Sequence, residues 1–307
     1  MTIKTFIRGK KGSSMVIYAA ALIVIMGAAS LAVDIGFAIN EKAAIANAAD
    51  AAALAGAQEL ASGNGTAALS VARAYLEKNG MKPVDAEITI NDGGNIITVR
   101  NRRQVNYAFA RILGINSTVV RANASAGAFP VSAVGSGVRP FAIEQQTLNF
   151  GQQYILKEGA GGGKSGNYGA LALGGSGASK FKDNIIYGYS GSLKVGDYVN
   201  TEPGNMKGPT ESGVQTLINN CRHFPKCTFS SFIPDCSRII TVVIVDSLDV
   251  NGRSSVRIEG FASFFLENVE SSGGHTQITG RFIKTICSGD VSVSQTDYGL
   301  KGIKLLN

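Results

Sequence analysis

The chain has 307 residues, 45% hydrophobic and only 17% charged, which excludes a disordered or acidic tail protein and gives two domains as the simplest expectation. Thirty-eight glycines and no tryptophan point to turn-rich β structure rather than a large aromatic-packed core. The net charge of +7 is concentrated at one end, because Lys4, Arg8, Lys10 and Lys11 supply four of those charges, so no basic groove for nucleic acid is expected.

From Gly12 to Val33 there are 22 consecutive uncharged residues, about 33 Å at helical rise and close to the thickness of bilayer hydrocarbon. Backbone in lipid must satisfy its own hydrogen bonds, so this segment is expected to be a transmembrane helix. Four cations precede it, while Asp34, Glu41, Asp50 and Glu59 follow it against Lys42 alone. That asymmetry places the N-terminus in the cytoplasm and the remainder outside. Two other readings share these features. A cleaved secretory signal has the same basic start and ends in small residues such as Ser30 and Ala32, and a buried core helix has a similar composition.

A retained anchor is favoured because the helical signal runs on. Alanine dominates after Val33, no proline occurs before Pro83, and the first stop is Ser62-Gly63-Asn64-Gly65. A single helix over Gly12–Leu60 would be about 73 Å long. Small residues recur every four positions along it, at Ala28, Ala32, Gly36, Asn40, Ala44, Ala48, Ala52 and Gly56. Such a ridge admits a second helix at close range. Asn47 and Asp50 are expected to fix register against that neighbour, and Asp34, at the outer lipid boundary, to pair with a partner's cation.

Gly12, Ala-Val-Asp-Ile-Gly at 32–36, and Asn-Ala-Ala-Asp-Ala-Ala-Ala-Leu-Ala-Gly-Ala at 47–57 resemble the Tad domain of the TadE/TadG-like Flp pilus-assembly family. The likeness is specific over about fifty residues and extends loosely to Ala128. It implies pilin-like or Tad-system membrane proteins as partners, a lipid bilayer, and a possible homo-oligomer. A prepilin-type processing site would fall between Gly12 and Ser13, but the glutamate such sites carry at the fifth mature position is Ile17 here. Gly166–Gly169, Val195-Gly196-Asp197 and Pro203-Gly204-Asn205 are similar, more weakly, to the distal region of TadG-related proteins.

Thr66–Asn79 has helical spacing and stops at Gly80. Ala86–Ile90 and Asn95–Arg100 alternate as strands joined by Asn91-Asp92-Gly93-Gly94, Val105–Leu113 reads as a short helix, and Ser117–Ala128 as a strand. An α-β-β-α-β module results. Val131–Pro140 reads as a linker, and beyond Phe141 glycine-rich turns separate β-branched runs at Asp183–Tyr189, Ile239–Val245, Ser255–Ala262 and Gln277–Ile283. The fold class is therefore α+β: a long transmembrane helix, a small α-β-β-α-β module, and a distal all-β sandwich or barrel-like domain. The divisions are a basic tail at 1–11, membrane helix 12–34, its external continuation 35–62 (the Tad domain about 12–60), an α/β module 63–130, a linker 131–140 and an exported β-rich domain 141–307.

Candidate chemistry is sparse. Glu158–Ser165 approximates a phosphate-binding loop, but Glu158 stands where the first glycine belongs and no strand-to-helix context follows. Asp246 and Asp249 follow an apolar strand, as a cation site would, but they lack the Asp-x-Ser-x-Ser spacing of von Willebrand A domains. Cys221, Cys227, Cys236 and Cys287, with His223 nearby, do not have the spacing of paired zinc knuckles. In an exported domain they favour two disulfides, with Cys221–Cys227 and Cys236–Cys287 preferred among three connectivities. No cofactor, metal or catalytic residue is expected, since His223 and His275 have no recognisable triad setting. The reading is a membrane-anchored, non-enzymatic component of a Tad/Flp-type pilus or secretion apparatus, minor pilin-like or a scaffold. Its helix-packing residues are Ala28, Ala32, Gly36, Asn47, Asp50 and Gly56. The alternatives are an anchored exported hydrolase, or a surface adhesin using Tyr187, Tyr189 and Tyr198.

Overall fold

The computed structural model describes residues 13–157, 169–204, 206–272 and 275–306. Helix α1 (Ser13–Ala61) is unbroken over 49 residues, as its alanine-rich, proline-free sequence requires. The chain reverses at Ser62–Asn64. The Asn64 side chain then accepts the Ala67 N–H at 2.9 Å, starting α2 (Gly65–Lys78) back against α1.

Strands β1 (Ala86–Ile90) and β2 (Ile96–Asn106) form the expected hairpin, its turn held by Asn91 Oδ1 accepting the N–H groups of Asn95 and Ile96. The short helix expected over 105–113 is a correction. Val105 and Asn106 continue β2, paired with Thr118 and Ser117, and only a 3-10 turn at Ala110–Leu113 follows. Strand β3 (Ser117–Val134) then runs 18 residues, well past Ala128.

The linker expected at 131–140 is also corrected. Val131–Val134 belong to β3 and Val138–Pro140 open β4 (Val138–Glu144), so only Gly135–Gly137 connect them. The remaining elements are β5 (Gln153–Lys157), α3 (Ala178–Tyr187), β6 (Leu193–Lys194), β7 (Tyr198–Asn200), α4 (Lys207–Asn219), β8 (Ile239–Val245), β9 (Ser255–Ser272), β10 (His275–Ile283), β11 (Thr285–Ile286), β12 (Asp290–Val291) and β13 (Leu300–Leu306).

Two sheets result. One has the order β1-β2-β3-β13-β11, with β6 and β12 on the far part of β3; the other has the order β4-β8-β9-β10-β5, with β7 on β9. The C-terminal strand β13 pairs with β3 from Lys301–Pro130 to Leu306–Ser125, so the end of the chain completes the sheet beneath α1. The α+β class is as expected, with a β framework distally. That framework is not all β, however, and Asp183–Tyr189 is largely helix rather than strand. Phe181, Asn184 and Ile185 are buried at three- and four-residue spacing, and together with Val214 and Leu217 of α4 they cover a core of Ile240, Val242, Ile244, Phe264 and Phe282.

Candidate functional site on the long helix and in the distal cysteine cluster

The two halves of α1 have different surroundings. From Ile45 onward its small face is buried: Ala48, Ala49, Ala52, Ala53 and Ala57 pack on Ala68, Ala72 and Leu76 of α2 and on Ile97, Val99, Ala124, Ala126 and Ala128 of the sheet. Before Asn40 the same helix is bare except at Asp34, with Met15, Ile17, Ile23, Val24 and Val33 all more than half exposed. The ridge read from the sequence is thereby split. Ala28, Ala32 and Gly36 stay exposed, whereas Ala48, Ala52 and Gly56 are taken by the chain's own body. A Cβ at Gly56 would come within 2.6 Å of Ile97 Cδ1 and 3.1 Å of the Ala68 carbonyl oxygen, so glycine there permits the close approach of α2. Asn47 remains exposed; Asp50 is half-buried and lines a shallow depression with Asn123, Ser125, Leu305 and Leu306 of its own sheet.

Asp34 also finds its partners within the chain. It is only 3% exposed, and its carboxylate accepts the backbone N–H groups of Ala108 (2.8 Å), Phe109 (2.9 Å) and Ala110 (2.6 Å). These donors start the 3-10 turn between β2 and β3, whose first N–H groups lack partners of their own. The clamp sits where the uncharged run of α1 ends, and beside it Phe109, Ile112 and Ile115 present exposed apolar side chains, Ile112 at 86%. A second tie lies a turn or two further on, where Arg103 meets Glu41 at 2.7 Å and the Gly80 carbonyl at 2.6 Å. Arg103 and Glu41 are 62 residues apart, and no local pattern could have announced their pairing.

The distal cysteines are arranged otherwise than the sequence reading expects. No disulfide joins the four, and Cys236 lies with Cys221, Cys227 and His223 instead of with Cys287. The sulfur and nitrogen atoms of these four residues all fall within 4.8 Å of one another. Cys287 packs elsewhere, on the edge of the core that contains Val131 and Leu300. The Cys227 N–H, and to a lesser degree the His223 side chain, favour the thiolate of Cys221 and bring it down to about 6, while burial pushes Cys236 up to about 12. Among the described residues this is the one group of three or more His, Cys, Asp and Glu side chains close enough to share a metal ion.

The other candidates carry less. Asp246 accepts the N–H groups of Ser247 and Arg257, so that turn satisfies itself. Tyr189 packs into the core and does not join Tyr187 and Tyr198 in one exposed aromatic face. Lys4, Arg8, Lys10, Lys11, the loop at 158–165, Gly166–Tyr168, Asn205 and the side chain of His275 lie outside the described residues.

The architecture defines a class: among the described residues one apolar helix near the N-terminus is long enough to cross a membrane, and its second half carries an α+β body. Residues 12–59 match the family model Tad, the TadE/G-like Flp pilus-assembly domain, and both motif blocks of the resemblance fall inside that match. It ends in the last turn of α1, leaving the body outside it. No curated protein and no solved structure matches the chain.

Proposed function

We propose that this chain is a membrane-anchored, non-enzymatic component of a Tad/Flp-type pilus or secretion apparatus, with its N-terminus cytoplasmic and its body outside. The observation that carries the reading is the division of α1 within one Tad domain. The second half is saturated by the chain's own sheet and α2, while the first half keeps a bare apolar surface with Ala28, Ala32 and Gly36 along one edge. In lipid no hydrophobic drive brings helices together, so close packing at small residues is the main route to association, and it remains open only there. Pilin-like helices of the apparatus, or a second copy of this chain, occupy that edge. The Asp34 clamp holds the 107–116 segment beside the helix, so that Phe109, Ile112 and Ile115 rest at the lipid surface and the body sits directly on the membrane.

The test is site-specific photo-crosslinking in membranes, with the native cysteines left in place. A photoreactive residue at position 32 is expected to trap another membrane helix, whereas one at position 48 should yield intramolecular products alone, because Ala48 is fully buried against the body. Ala32→Leu should reduce assembly or export by about tenfold, the effect of losing roughly 1–2 kcal/mol of helix packing. Unchanged assembly with Ala32→Leu, and no intermolecular product from position 32, would overturn the proposal.

A further inference from the structure

We propose that Cys221, His223, Cys227 and Cys236 form a closed structural zinc site that organises the connection between α4 and β8. The connection runs over 220–238 with no helix or paired strand of its own beyond the isolated Thr228–Ser231 bridge. Segments of that length are seldom ordered without a cross-link or a core. What lies at its centre is three sulfurs and a ring nitrogen, backed by Phe265 and Ile283.

The spacing of these atoms suits a tetrahedral centre. With metal–sulfur bonds near 2.3 Å and a metal–nitrogen bond near 2.0 Å, the edges of the tetrahedron are about 3.5–3.8 Å. His223 Nδ1 lies 3.3 Å from Cys227 Sγ and 3.9 Å from Cys221 Sγ, bracketing that value. The imidazole is oriented from behind, because its Nε2 faces Asp235 Oδ1 at 3.4 Å, which leaves Nδ1 to the cluster; metal-binding histidines are fixed in their tautomer by such a carboxylate.

Parity argues against disulfides here. Three thiols cannot all pair among themselves: a disulfide between any two leaves the third alone in the cluster, and the fourth cysteine lies in a different part of the core. Three thiolates and an imidazole satisfy zinc completely and leave no open position for substrate, so the site stabilises structure and performs no chemistry. Zn2+ displaces the three thiol protons to solvent, and the loaded centre carries one net negative charge. Arg238 is placed to offset it, its guanidinium donating to the carbonyls of Cys227 (2.8 Å), Leu266 (2.8 Å) and Glu267 (3.0 Å). The paired-knuckle spacing fails as a guide because the fourth ligand is a histidine two residues after the first cysteine, and the last cysteine returns at the entry to β8.

The full chain, purified in detergent from membranes without reductant, is expected to contain one zinc per chain by elemental analysis. Chain stripped of its zinc by a chelator under reducing conditions and then given Co2+ should show the visible bands of a tetrahedral thiolate site, bleached by Zn2+. Asp235→Asn should weaken zinc binding by about tenfold and Cys236→Ser by more, while Cys287→Ser retains full binding. Non-reducing peptide mapping that finds Cys221, Cys227 or Cys236 in a disulfide would overturn the site. So would the absence of a cobalt spectrum from reduced, zinc-stripped wild-type chain, a measurement that needs no variant to fold.

Discussion

Asp34→Ala is expected to release residues 107–116 from the long helix without unfolding the rest of the chain. The carboxylate is the acceptor for three N–H groups at 2.6–2.9 Å in a buried setting. Its loss leaves those donors unpaired unless the segment moves out to water, at about 1–3 kcal/mol for each that stays buried. Outward movement is therefore favoured by roughly 2–4 kcal/mol, which raises the open population by about thirtyfold or more. Arg111 is exposed and lies inside the turn, so trypsin reports the change directly, as cleavage at that bond in detergent-solubilised chain. Asp34→Asn keeps one acceptor oxygen and should fall between the two. Cleavage at the wild-type rate in both variants would show that the turn is held by something other than this carboxylate.

Gly56→Val is the second large effect. Glycine inside a helix costs about 1 kcal/mol relative to alanine, so its presence in a fully helical stretch needs a reason. The reason is space: a Cβ there would meet Ile97 Cδ1 at 2.6 Å and the Ala68 carbonyl oxygen at 3.1 Å. Valine must push α2 and the sheet away from α1, a forced repacking of about 1–3 kcal/mol that also exposes Ala68 and Ala72. For a body of this size, at about 2–4 °C per kcal/mol, the expected loss is about 2–12 °C in thermal unfolding followed by circular dichroism in detergent. A Cβ placed on Gly27 or Gly36 would have no atom within 4 Å, so Gly27→Val and Gly36→Val should leave the melting of the isolated chain unchanged. An equal loss at all three positions would mean that the close approach at Gly56 is not what valine disturbs, since valine has a better helix propensity than glycine.

Much of the framework is legible in the residues, wherever one local pattern dominates its neighbours. The limits of α1, the strand Ala86–Ile90, the turn at Asn91–Gly94 and the strand Ile239–Val245 all follow from periodicity, capping and turn chemistry within a few residues. The family match rests on the same helix. The failures lie where local preference is weak and packing decides. Asp183–Tyr189 contains two isoleucines and two tyrosines, a strand composition, yet most of it is helical, its buried Asn184 and Ile185 following Phe181 at a helical period once α3 rests on β4 and α4. Val131-Ser-Ala-Val134 reads as a boundary because glycine and serine follow it, but pairing with β6 and β12 turns it into sheet.

The amino-acid sequence alone determined that this chain has an uncharged stretch long enough for a membrane, that the stretch continues as one helix, and that an α+β body follows, because these properties are written in runs and periods of neighbouring residues. Only the tertiary structure decided which part of the small-residue ridge is spent on the chain's own sheet, where the Asp34 carboxylate goes, and which cysteines meet. Each of those depends on contacts between residues far apart in the chain, 74 to 76 positions for Asp34 and its turn, and the free energy that selects them comes from burial and pairing that no short segment contains.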